Sequence, residues 1–176
     1  MAIHQIQFAY DEQQDRVLMR VSTSEGEEFR FWLTRRFTRR LWGLLVRMLE
    51  QDQPVRQQFD TDMKRTVLGI RHEGYAQQGN FSAPFEEREY RRPLGDEPLL
   101  LARAEAKLHD DATFLLRLQP QTGQGIDMVL DAKLLHLFSK LLNQVVARTD
   151  WDVNLELYQG KEQGAQEPDA QPRKLN

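Results

Sequence analysis

The chain has 176 residues, 40% of them apolar and 29% charged, with a net charge of −3 and no cysteine. This is the make-up of one globular domain, or of two halves sharing one core. It excludes disulfides, thiolate chemistry and Cys-ligated metals, argues against polyanion binding through overall charge, and leaves every apolar run far short of the roughly 18 residues of a membrane span.

The first residues, Met-Ala-Ile-His-Gln, lack the basic start and apolar stretch of a signal peptide, so a cytoplasmic location is expected. Ile6, Phe8 and Tyr10 then alternate with polar or small residues, and residues 11–15 read as a turn. Val17, Met19 and Val21 form a second alternating run, followed by a turn that ends at Gly26. Phe29, Phe31 and Leu33 make a third strand, with Arg30 and Trp32 on its other face. Thr34 is suited to cap a helix, because its hydroxyl can accept from an orphan backbone N–H. Phe37, Leu41, Leu44, Leu45 and Met48 follow helical spacing to about Gln51, and Pro54 lies beyond the stop.

After a polar stretch over residues 72–97, with Tyr75, Phe81, Phe85 and Tyr90 scattered through it, the same order returns. Leu100, Ala102, Ala104, Ala106 and Leu108 alternate, His109-Asp110-Asp111 reads as a turn, and strands follow at 113–119 and 125–130. Asp131 stands where Thr34 stood, and Leu134 to Ala147 continues as a helix. Residues 153–157 alternate once more, and residues 66–71 offer a matching strand after the first helix. Placing residues 18–49 over 115–146 makes about 13 of roughly 32 positions apolar in both, against ~5 by chance, and superposes Gly26 on Gly123.

The expected fold is therefore α+β, with antiparallel sheets and two helices, made by internal pseudo-twofold duplication of a βββα(β) unit. The expected organisation is a first unit over 1–71, a long polar loop or insertion over 72–97, a second unit over 98–158 and a disordered tail over 159–176. Two strand-rich units, each ending in a helix, are similar in topology to the Whirly-type single-strand-binding architecture, with three strands before each helix where that family has four. The resemblance implies a non-enzymatic binder of single-stranded nucleic acid.

The sharpest anomaly is in the first helix and the strand before it. Between Phe29 and Leu49 stand Arg30, Arg35, Arg36, Arg39, Arg40 and Arg47, with no acid among them. Arg35 and Arg36 occupy the first helical turn, where the macrodipole favours carboxylates and disfavours cations by a few tenths of a kcal/mol each. A choice that breaks a local rule marks a candidate site. Arginine forks beside free helix N–H groups suit phosphate, and an outward Trp32 suits a stacked nucleobase. The structural alternative is that these arginines pair with Glu25, Glu27, Glu28, Glu86, Glu87 or Glu89.

Enzyme signatures are poor. His4, His72, His109 and His136 show no metal-ligand spacing, and Gly123-Gln124-Gly125 reads as a hairpin tip, with no helix directly after it. No catalytic residues, metal or cofactor are expected. Two functions follow as expectations. One is a non-enzymatic binding or assembly protein with a protein partner or a second copy of itself, since open sheets leave edges to pair. The other is a single-stranded nucleic-acid binder using Arg30, Trp32, Arg35, Arg36, Arg39, Arg40 and Arg47.

Overall fold

The computed structural model describes residues 2–78, 84–109, 112–155 and 157. Three strands, β1 (Ile3–Asp11), β2 (Arg16–Thr23) and β3 (Glu28–Leu33), lead into α1 (Arg35–Glu50), the short α2 (Gln53–Arg56) and α3 (Thr61–Gln78). Three more, β4 (Leu99–Leu108), β5 (Phe114–Pro120) and β6 (Ile126–Leu130), lead into α4 (Ala132–Val146). The strands form one mixed sheet in the order β1-β2-β3-β4-β5-β6. Neighbours run antiparallel except β3 and β4, which meet in parallel over Phe31↔Leu99 and Trp32↔Leu100. The expectation of antiparallel sheets and two helices is corrected, among the described residues, to one sheet with a parallel junction and four helices.

Alternation decides which face is inside. Val17, Met19, Val21, Phe29, Phe31 and Leu33 from the first three strands, and Phe114, Leu116, Leu118, Ile126, Met128 and Leu130 from the last three, are buried. They meet the apolar stripes of α1 (Phe37, Leu41, Leu45, Leu49) and α4 (Leu135, Phe138, Leu142, Val146) in one core. α1 packs on β4, α4 packs on β1, and the two helices touch each other. Both helices start as their sequences indicate. Thr34 Oγ1 accepts from Phe37 N at 3.2 Å, and Asp131 Oδ1 accepts from Leu134 N at 2.7 Å. Gly26 and Gly123 both sit at positive φ, 77° and 90°, which their hairpin turns require.

Four departures from the sequence reading have local causes. Residues 66–71 are helical, part of α3, because Asp60 caps the segment (Met63 N to Asp60 Oδ1, 2.9 Å) and Leu68 buries on the helix side. α3 runs on to Gln78, so the boundary placed at residue 71 lies within a helix. Residues 153–155 and 157 are not in a strand. Asn143 Nδ2 takes the Leu155 carbonyl at 2.6 Å, and Trp151 and Leu155 bury in the core. In β4 a register shift between Leu101 and Arg103 breaks the even alternation. Leu101 is therefore buried and Leu100 is exposed, the reverse of a strict period of two. Phe81, Asp110, Asp111, Glu156 and the tail over 159–176 lie outside the described residues.

The later part of the polar stretch is a strap over the outer sheet face and its edge. The Gln5 side-chain amide donates to the Pro84 carbonyl and accepts from Glu86 N, both at 2.9 Å. Glu28 N donates to the Arg91 carbonyl at 2.9 Å, and Arg91 N to that of Gly26 at 3.0 Å. Phe85 and Tyr90 are buried beneath the strap, with the Arg20 guanidinium 3.9 Å above the Phe85 ring.

Candidate functional site

The strap settles where the acids go. Glu28, with no exposed side-chain surface, is held by Arg20 Nε at 2.7 Å and by Arg92 Nε at 3.0 Å. Burial pushes its carboxyl up, but hydrogen bonds and charge from Arg20 and Arg92 outweigh this and hold it below the usual range. Glu87 takes Arg20 at 2.5 Å, Glu27 takes Arg91 at 2.5 Å, and Glu86 takes His4 at 3.0 Å. Four of the six acids that could have neutralised the first helix, Glu27, Glu28, Glu86 and Glu87, are thus committed to arginines and a histidine elsewhere.

The α1 arginines consequently stand apart. Arg35, Arg36, Arg39, Arg40 and Arg47 are exposed, and among the described residues none makes a salt bridge or a side-chain hydrogen bond. The nearest influence is between Arg35 and Asp15, whose carboxyl is held below its usual range by hydrogen bonds from Trp151 and Tyr10, with a smaller contribution from Arg35. Arg35, Arg36, Arg39 and Arg40 together line a shallow depression of about 470 Å³ on the first two turns of the helix. The first-turn N–H groups and four guanidiniums lie on the same end, so positive potential from helix and side chains adds there. Arg47 lies further along, its guanidinium 3.9 Å from where a Cβ on Gly43 would be.

Arg30 and Trp32 belong to a different surface. They alternate with Phe29, Phe31 and Leu33, which face the core under α1, so they project from the opposite face of the sheet. Arg30 pairs in register with Arg20, and its Nε is buried without a hydrogen-bond partner among the described residues. Trp32 lies in a cross-strand row, Ala9-Leu18-Trp32-Leu100, which runs over four strands on that outer face. The seven residues singled out by sequence therefore fall into two groups on opposite sides of the sheet.

Sequence reasoning missed a buried polar cluster where α1, α3 and α4 meet. His72 Nδ1 lies 3.1 Å from His136 Nδ1, and Arg71 Nε donates to Asp52 Oδ2 at 2.5 Å while its NH2 group reaches the Tyr75 hydroxyl at 3.0 Å. The two histidines are 64 positions apart, a separation at which no local pattern reports contact. Among the described residues no group of three or more His, Cys, Asp or Glu side chains is placed to hold a metal ion. No helix among them is long and apolar enough to cross a membrane. In comparison with known proteins, the chain matches no family model, no curated protein and no solved structure.

Proposed function

We propose that this chain is a non-enzymatic binding protein built on a duplicated βββα scaffold, and that its ligand is a phosphate-bearing polyanion, in the first place single-stranded nucleic acid. The observation that carries the reading is the set of four exposed arginines, Arg35, Arg36, Arg39 and Arg40, around one depression with no carboxylate partner among the described residues. Unpaired like charges on adjacent helical turns repel one another, and a ligand with several phosphates relieves that repulsion. Duplication is supported by the repeated order of three strands and a helix, by matching side-chain caps at Thr34 and Asp131, and by the reciprocal packing of α1 on β4 and α4 on β1. The α4 face carries only Lys133 and Lys140, so the binding surface belongs to the first unit.

Fluorescence anisotropy of a labelled oligothymidylate at several salt concentrations tests this reading. Four phosphate contacts give a log–log salt slope of about −3. The double substitution R36E/R40E removes the binding and keeps the folded circular dichroism spectrum. A wild-type chain that binds no oligonucleotide at low salt overturns the proposal.

A second reading rests on the outer face. Leu18 and Trp32 are half-buried and Leu100 is 45% exposed in one continuous row. An apolar row of that kind suits a protein partner or a second copy. Concentration-dependent sedimentation that L100E abolishes supports it, and a monomer at all concentrations with no captured partner removes it.

A further inference from the structure

β1 is an edge strand of nine residues, paired only with β2 among the described residues. The strap reaches it at Gln5, beside a register shift between Ile3 and Gln5, and from Ile6 to Tyr10 no strand pairs its outer edge among the described residues. Natural edges are blunted by lysines, prolines or inward charges. From Gln5 to Tyr10, this one carries no charge and no proline. Beside it, a cleft of about 420 Å³ opens between β1 and α4, floored by Ile6, Phe8, Leu134, Leu137 and Leu141. Phe8 meets Phe138 edge to face at the cleft wall, with ring centroids 5.2 Å apart.

The same chain shows how such a place is filled. β4 opens the second run of three strands as β1 opens the first; it has α1 packed on it and β3 alongside in parallel. β1 has α4 packed on it and no strand alongside among the described residues. The cleft also has a charge at one end. Arg148, just past α4, lines it, is exposed, and makes no ion pair among the described residues.

We infer that the open edge of β1 and the cleft it shares with α4 form a docking groove for an extended segment of a partner protein. The segment adds as a seventh strand, with alternate apolar side chains in the cleft and an acidic residue at Arg148. The backbone edge supplies affinity for any extended chain. The apolar floor selects every second residue, and Arg148 selects a carboxylate. This groove is separate from the α1 arginines and stands or falls independently of them.

The test is selection of a displayed random dodecapeptide library on the full chain, followed by anisotropy with the best peptide, fluorescein-labelled. The expected consensus alternates apolar residues and includes an acid. R148E, at an exposed position that the fold does not use, weakens binding about tenfold, as loss of a charge-assisted hydrogen bond does. N-methylation of alternate peptide amides removes it, and R36E/R40E leaves it unchanged. No enrichment, a consensus of helical spacing, or binding indifferent to either R148E or N-methylation overturns the inference. A dimer in sedimentation that L137K dissolves assigns the groove to a second copy, and likewise overturns it.

Discussion

The imidazole of His72 on α3 meets that of His136 on α4 nitrogen to nitrogen, Nδ1 to Nδ1, at 3.1 Å. Such a contact needs one ring to donate and the other to accept, so it exists only while at least one is neutral. His136 is 1% exposed, and its Nε2 is 4.0 Å from Asp52 Oδ2 with no hydrogen-bond partner among the described residues. Burial, then the neighbouring His72 and Arg71, push its pKa down to about 3. Burial also lowers His72, with Lys140 adding to it and Glu73 opposing.

Both folded pKa values lie below the unfolded value near 6.5, so the unfolded chain takes up protons first as pH falls. Stability is therefore fully present above pH 6.5 and declines below it, by about 2 kcal/mol between pH 7 and pH 5 for a fully depressed histidine. Urea denaturation at the two pH values measures this. H136L flattens the dependence, and a wild type equally stable at both contradicts the buried pair.

Helix polarity makes stability and binding move in opposite directions at the start of α1. A carboxylate in the first turn is favoured by the macrodipole where a guanidinium is not, so R36E raises stability by about 0.5 kcal/mol at low ionic strength. The same change lowers oligonucleotide affinity. W32A leaves that affinity within about twofold, because Trp32 lies on the other side of the sheet, where its base-stacking contribution of 1–3 kcal/mol is out of reach of the depression. Thermal denaturation and anisotropy on the same samples decide both, and a large loss with W32A places the ligand on the outer face instead.

Glu28 locks the strap to the sheet. Replacing it with alanine leaves Arg20, whose side chain is only 15% exposed, with Glu87 of the strap alone, and leaves Arg92 with Asp96 alone. E28A is expected to cost about 3 kcal/mol, the range for breaking a buried ion pair from one side. Trypsin then cuts after Arg88 or Arg91 faster than in the wild type. Equal protection in both proteins excludes the lock.

The β5–β6 turn tolerates no side chain at Gly125. A Cβ there falls 1.9 Å from the Leu118 carbonyl oxygen and 2.8 Å from the Gln119 Cα, both of them backbone atoms with nowhere to yield. G125A consequently destabilises by more than ~2 kcal/mol. G123A meets open space and carries only the strain of φ 90°, about 1 kcal/mol. Denaturation midpoints of the two variants give the order, and G123A more harmful than G125A contradicts the turn geometry.

The six strands and the helices α1 and α4 were legible in sequence, because each is written in a local period. Alternation marked Val17-Met19-Val21 and Phe29-Phe31-Leu33, and helical spacing with a side-chain cap marked the two helices. Where a segment is short and β-branched, period alone fails. Residues 66–71 look like a strand, yet a cap six residues upstream and the burial of Leu68 make them helix. The arginine anomaly was also legible, since six cations without an acid are visible in the string itself.

Whether those arginines were neutralised was not, because pairing is set by which acids reach them through space. Glu28 and Glu87 went to Arg20 and Arg92, not to α1, once the strap crossed the sheet. The same holds for Trp32, grouped with the arginines along the chain and parted from them by the thickness of a sheet, and for His72 with His136. The order of residues determined the periods, the turns and the caps, which act over a few positions. Only the packed structure decided which charges meet, which face each side chain serves and which strand edge stays open, since those depend on contacts between residues far apart in the chain.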